Sequence, residues 1–212
     1  MTTFDRVLKY LFDRVTALVG LVLLAIPLAV VAMLLRLNDG GPVLFSQTRV
    51  GKGGRLFKIH KFRTMTNDRE TSHIAYPNQS RVTPLGARLR RHKLDELPQL
   101  WDVLVGNMSF VGPRPDVPGY ADLLEGDDRV ILLMRPGITG PATLKYRDEE
   151  HLIEQYVHQA KDEGDPRSEE EIALHYNDEV IYPDKVKINK DYYWNYSFLK
   201  DLRIILDTVR ER

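Results

Sequence analysis

"VTALVGLVLLAIPLAVVAMLL", residues 15–35, holds no charged side chain, and Arg14 and Arg36 bracket it. Its 21 residues, at a rise of about 1.5 Å each, match a hydrocarbon core of roughly 30 Å. The run therefore predicts a membrane-seated helix. A cleaved signal peptide fits worse, because the run is too long and no small-x-small site follows. The remaining reading is a buried helix of a soluble protein.

Pro27, near the middle of the run, removes the amide that would bond the Leu23 carbonyl and crowds that carbonyl with its ring, so a kink is expected there. Basic residues stand on both sides: Arg6, Lys9 and Arg14 before, Arg36 and Arg49 after. The positive-inside rule then gives no orientation. From the residues, two geometries stay open. One is a spanning helix with a tolerated proline kink. The other enters the bilayer, breaks at Pro27 and returns, leaving both basic flanks on one surface.

The 212 residues carry 30 basic and 30 acidic side chains and no cysteine. Zero net charge argues against a general nucleic-acid binder, and disulfide and thiolate chemistry are excluded. The balance conceals segregation. Residues 49–93 hold twelve Lys/Arg against two acids, Asp68 and Glu70, whereas acids cluster at 125–128, 148–150 and 169–171. One face is thus prepared for anions.

After a turn at 38–42, two β-like runs, 43–47 and 56–62, flank the turn Gly51–Gly54 and predict a basic hairpin carrying Arg49, Lys52, Lys58, Lys61 and Arg63. "GKGG" lacks the spacing of a phosphate loop. Residues 67–83 read as loop and 85–94 as a basic helix. A second helix is expected from Asp95 or Glu96, with Pro98 in its first turn and Leu97, Leu100, Trp101 and Leu104 on one apolar face.

"KLDELPQL", 93–100, sets Asp95 and Glu96 at the end of the most basic stretch of the chain. Neighbours in a helix do not face each other, so they are not a hydrogen-bonded acid/base pair. One reading is structural: Asp95 caps the helix and Glu96 is a favoured first-turn acid. It leaves unexplained the basic approach and the two rigid loops beyond, "FVGPRP" (110–115) and "RPGITG" (135–140). Each presents one arginine, Arg114 and Arg135, whose forks suit phosphate oxygens. Residues 147–179 read as solvated helix and loop. The tail "YYWNYSFLKDLRIILDTVRER" has the apolar spacing of a helix and aromatics suited to a membrane interface.

From about Phe12 to Val209 the chain resembles the bacterial sugar transferases, small monotopic phosphoglycosyl transferases. The resemblance rests on "FDR" before the apolar run, "GPVLFSQTRVGKGGRLFKIHKFRTM", "LRRHKLDELPQLWDVLVGNMSFVGPRP", "RPGITG" and the "YYWNYSFLKDLRIILDTV" ending. It implies transfer of a phosphosugar from a UDP-sugar to a polyprenyl (undecaprenyl) phosphate, with Mg²⁺ and release of UMP, at the start of polysaccharide or glycoprotein glycan assembly.

Asp95 then matches the nucleophile, and Glu96 matches a partner at the metal or in proton handling. Lys61, Arg63, Arg91, Arg114 and Arg135 are expected at the substrate phosphates. The resemblance also implies an α+β monotopic fold at the cytoplasmic face of a bacterial inner membrane, in contact with lipid. Residues 1–37 would form a re-entrant helix broken at Pro27. Residues 38–212 would form a minimal catalytic domain with a small sheet and a C-terminal interfacial amphipathic helix. The family breaks its helix at Ser-Pro; here the pair is Ile26-Pro27, without the hydroxyl that could bond a freed carbonyl. Rival readings are a scaffold that binds polyprenyl phosphate without turnover, and a basic adaptor for anionic lipid.

Overall fold

The computed structural model describes residues 1–66 and 82–210. Most of the loop expected at 67–83 lies outside them.

The apolar run is split between two helices. Helix α1 (Thr3–Leu23) and helix α2 (Ala25–Asp39) meet at Leu24 with a bend of 63°. The break falls at Leu24 because the Pro27 ring displaces the carbonyl four residues back, that of Leu23, and leaves it without an amide. Leu24 holds the corner by donating to the Gly20 carbonyl at 2.9 Å and accepting from the Leu28 amide at 2.8 Å. Among the described residues no single helix is long and apolar enough to cross a membrane; the bent pair together meets that test.

Helix α1 is capped by a reciprocal Thr2–Asp5 box, and its burial is inverted. The outward stripe is apolar: Phe4, Val7, Leu11, Val15, Leu18 and Val22 are all at least half exposed. The inward stripe holds Lys9 and Asp13, 2% and 1% exposed, with Ala17 one turn on. A water-facing helix would reverse this arrangement.

The expected hairpin forms from β1 (Leu44–Val50) and β2 (Leu56–Phe62), antiparallel from Leu44↔Phe62 to Val50↔Leu56. Gly53 and Gly54 close it at φ of 72° and 78°, which L side chains rarely adopt. The first strand runs on to Val50, three residues past the expected end, because the turn is a tight one opening at Gly51. Helix α3 (Pro84–Arg91) starts at Thr83, whose side chain accepts from the Gly86 amide at 2.9 Å.

A 3₁₀ turn (Leu94–Glu96) precedes helix α4 (Gln99–Val105). The start expected at Asp95 or Glu96 therefore moves to Gln99, and Asp95 does not cap α4. The cause is Lys93, which adopts φ 53° and turns the chain. With the shorter helix the buried face is Leu100, Asp102 and Val103, while Trp101 points outward at 54% exposure.

The two Pro/Gly loops pair with each other. Strands β3 (Ser109–Val111) and β4 (Gly137–Thr139) form a parallel two-stranded sheet. Helices α5 (Pro141–Lys145), α6 (Glu149–Asp162), α7 (Glu169–Tyr176), α8 (Tyr182–Trp194) and α9 (Phe198–Arg210) follow. The tail breaks between α8 and α9. Tyr192 at the end of α8 and Tyr196 within the break both donate to buried Asp201 on α9, which also receives Lys9 Nζ at 2.6 Å. Phe12 packs edge-on to Phe198 at 5.2 Å, so α1 and α9 share a seam.

Three apolar clusters position the site. Ala17, Ile59, Val103 and Met108 join α1, β2 and α4. Leu35, Phe62 and Leu89 join α2, β2 and α3. Val50, Val111, Ile131, Met134, Val186 and Tyr193 form the larger core behind β3 and α8.

Candidate active site

The αL conformation of Lys93 drives the next turn inward. Asp95 ends up 8% exposed, and its Oδ1 has no hydrogen-bond partner among the described residues. An orphaned buried carboxylate oxygen is costly in a folded protein. Glu96 is differently placed: Lys61 Nζ lies 2.6 Å from its Oε1 and Arg114 lies 3.7 Å from the same oxygen.

These environments drive the two acids apart. Burial, then the adjacent Glu96 charge, push the Asp95 pKa above the usual carboxylate value, against the opposing pull of Lys61 and Arg90. Burial also acts to raise Glu96, but Lys61 and Arg114 prevail and its pKa falls. The shifts belong to a coupled pair, Asp95 raised and Glu96 lowered.

Lys61 is aimed by its neighbour. The His60 amide donates to Asp102 Oδ2 at 2.9 Å, and His60 Nδ1 lies 2.8 Å from Oδ1. Asp102, fully buried on α4, thus clamps β2 to the helix that follows Glu96. Lys61, on the opposite face of the strand, is turned toward the acids.

Arg114 is held through its backbone. Gly137 N donates to Pro113 O at 2.8 Å, Arg49 donates to Pro115 O at 3.2 Å, and Val50 N donates to Asp116 O at 2.9 Å. Asp116 itself, desolvated beside Lys185, Arg49 and Tyr182, has its pKa pushed up to about 6.

Four of the seven expected site residues lie together or beside the acids: Asp95, Glu96, Lys61 and Arg114. Arg63 is buried, with its guanidinium packed on Gly41 where a Cβ would stand 1.9 Å from a terminal nitrogen, at the junction of α2 and β1. Arg91 is exposed on α3, whereas its neighbour Arg90 donates through Nε to Thr64 Oγ1 at 2.9 Å. The inward face of α3 is set by Gly86. Gly86 approaches the Thr64 carbonyl so closely that a Cβ would sit 2.1 Å away, and Arg90 is one turn further along that face.

Arg135 lies elsewhere, stacked on the Tyr10 ring at 3.8 Å beside Gly106, past the far end of α4. Parallel pairing is the reason. Arg114 follows β3 and Arg135 precedes β4, so the two arginines leave the sheet at opposite ends.

A family model described as bacterial sugar transferase matches residues 4–165. The chain belongs to that family. It is 32% identical over 205 residues to a sugar transferase of Bacillus subtilis (strain 168), EpsL, covering 97% of this chain and 87% of the relative. With the exopolysaccharide production protein PSS of Rhizobium leguminosarum bv. phaseoli it shares 45% identity over 152 residues, 66% of this chain and 75% of the relative. With the UDP-glucose:undecaprenyl-phosphate glucose-1-phosphate transferase of Escherichia coli (strain K12) it shares 41% over 158 residues, 71% of this chain and 34% of that longer protein. Transferases of sugar phosphates to undecaprenyl phosphate are thus among its homologues.

Proposed function

We propose that this chain transfers a phosphosugar from a UDP-sugar to a polyprenyl phosphate in two displacements, with Asp95 as nucleophile. The observation that carries the reading is the buried Asp95 Oδ1, without a hydrogen-bond partner among the described residues, beside a Glu96 pinned by Lys61 and Arg114. In the first displacement an Asp95 oxygen bonds to the sugar-bearing phosphorus. The bond from that phosphorus to the bridging oxygen breaks, and UMP leaves with the bridging oxygen. In the second, an oxygen of the polyprenyl phosphate bonds to the same phosphorus and the carboxylate departs, restoring Asp95. Division of one displacement into two is what a covalent nucleophile supplies.

Lys61, Arg90 and Arg114 hold charge on the phosphoryl oxygens and keep it away from water. Arg63 and Arg91 sit further out in this arrangement. The acids also fit a Mg²⁺ ion. Among the described residues no group of three or more His or acidic side chains gathers, but this ion is commonly held by one or two carboxylates together with substrate phosphates. Asp95 and Glu96 would hold it, and bound there it lowers the repulsion between carboxylate and diphosphate.

Incubation with polyprenyl phosphate and a panel of UDP-sugars, read as UMP release, tests the activity. Failure with every sugar would return the chain to the scaffold reading. In the same assay Arg114→Lys keeps the charge but loses the fork, and turnover is expected to fall about tenfold or more. An unchanged rate would make Arg114 an ordinary solvated turn residue.

We further place the protein on the cytoplasmic leaflet as a monotopic enzyme, with α1 and α2 entering and returning. Support comes from the 63° bend and the apolar outer stripe of α1. The chain has no cysteine, so single cysteines report cleanly. Thr2→Cys is expected to react with a membrane-impermeant maleimide from the same side as Glu163→Cys on the body. Labelling from opposite sides would mean a crossing.

A further inference from the structure

The residues around Tyr10 form a cationic cluster that the Asp95 chemistry does not use. The Arg135 guanidinium stacks on the Tyr10 ring at 3.8 Å, and Lys52 Nζ lies 5.5 Å from the same ring. Gly106, at φ 90°, leaves a gap where a Cβ would stand 2.9 Å from an Arg14 terminal nitrogen and 3.3 Å from one of Arg135. Two guanidinia therefore converge on one glycine. Among the described residues the buried Arg135 NH1 has no hydrogen-bond partner. Arg135 loses basicity through burial and the nearby Arg14 charge, and Lys52 through burial, Arg6 and Arg135. The acid facing the group is Asp13, and both its oxygens are taken, by Ser109 Oγ at 2.7 Å and the Phe110 amide at 3.1 Å.

The place of this cluster is informative. Arg14 and Tyr10 border the outward apolar stripe of α1 that contains Val7, Leu11, Val15 and Leu18. If that stripe meets acyl chains, the cluster lies at headgroup level, where arginine and tyrosine reach from apolar surface to a polar layer. It also lies past the C-terminal end of α4, whereas Asp95 precedes that helix, so an anion bound here is not the one that reacts.

We propose that Arg14 and Arg135, with Lys52 and Arg6, form a second anion site that takes the phosphate headgroup of a membrane lipid. The site would lock the height and rotation of α1, and with it the catalytic body, relative to the bilayer. It rests on the lipid-facing reading of α1 and not on the nucleophile. The plain alternative is that the guanidinia only balance the C-terminal dipole of α4. A lone cation would serve that purpose, and the convergence of two, with Asp13 already bonded to Ser109 and Phe110, favours a bound anion.

The test uses the purified full chain in a neutral detergent. Dioleoyl phosphatidylglycerol or dioleoyl phosphatidylcholine is offered, and retained lipid is counted by native mass spectrometry. The expected result is one phosphatidylglycerol retained about tenfold or more over phosphatidylcholine. In the Arg14→Gln/Lys52→Gln double variant, both positions exposed, the preference should vanish. Lys200→Gln, an exposed cation on α9, should keep it. Equal retention of both lipids would overturn the site, as would a preference that survives the double variant while only the melting temperature falls. Displacement of the retained lipid by millimolar inorganic phosphate or UMP would also overturn it, assigning the cluster to a soluble anion. UMP release by the wild type is measured alongside, so a failed transferase reading and a failed lipid site give different patterns.

Discussion

Mixed with its UDP-sugar and Mg²⁺ but no lipid, the protein is expected to release UMP in a burst approaching one equivalent, and Asp95→Asn is expected to abolish the burst. The first displacement needs no polyprenyl phosphate, so the sugar phosphate should remain on the enzyme and add its mass to the peptide containing Asp95. Asparagine keeps the size of the side chain and removes the anion. The variant should also be at least as stable as wild type. Burial holds the Asp95 pKa above its unfolded value, so ionisation at neutral pH opposes folding, and that penalty fades as pH falls through the folded pKa. Loss of activity with retained or increased melting temperature is a signature that a structural aspartate would not give. A normal burst in Asp95→Asn would falsify the covalent role and leave direct attack by the polyprenyl phosphate.

The pH dependence follows with a definite sign. The burst needs Asp95 ionised, so its acid limb reports the raised pKa of the pair. Glu96→Gln removes a neighbouring negative charge that raises Asp95, and the limb should move to lower pH even as the maximal rate falls. Movement in the opposite direction would mean that another group governs the limb.

Local chemistry made parts of this architecture legible. The hairpin follows from Gly51–Gly54 between two β-like runs, and the break of the apolar run follows from Pro27. Its position at Leu24 is the carbonyl geometry of proline carried back by one turn. The Asp95–Glu96 pair stood out because it ended a basic run. Three features needed the tertiary structure. A lysine gives no sign that it will adopt αL, so the rotation at Lys93 that buries Asp95 could not be read. Strands of three residues carry no periodicity, so the parallel pairing that parts Arg114 from Arg135 was invisible. The polar inward stripe of α1 was hidden because its partners, Ser109 and Asp201, lie 96 and 192 residues away.

That inward stripe yields the largest expected effect on stability. Lys9 Nζ and Asp201 Oδ2 lie 2.6 Å apart with both side chains 3% exposed. Tyr192 and Tyr196 donate to the same carboxylate, so the cluster ties α1 to α8 and α9 at a point where water does not reach. Lys9→Met preserves most of the apolar stem and deletes the charge, which leaves Asp201 as a buried anion with two hydroxyls for support. Breaking a buried pair in this way costs about 3–5 kcal/mol, a large share of the roughly 5–15 kcal/mol that holds a domain together. The melting temperature in detergent is expected to fall sharply. The paired change Lys9→Met/Asp201→Leu removes both desolvation costs together and should recover much of the loss, with a double-mutant cycle measuring the coupling. If Lys9→Met alone melts like wild type, α1 is not anchored through this pair, and the seam between Phe12 and Phe198 must hold it instead.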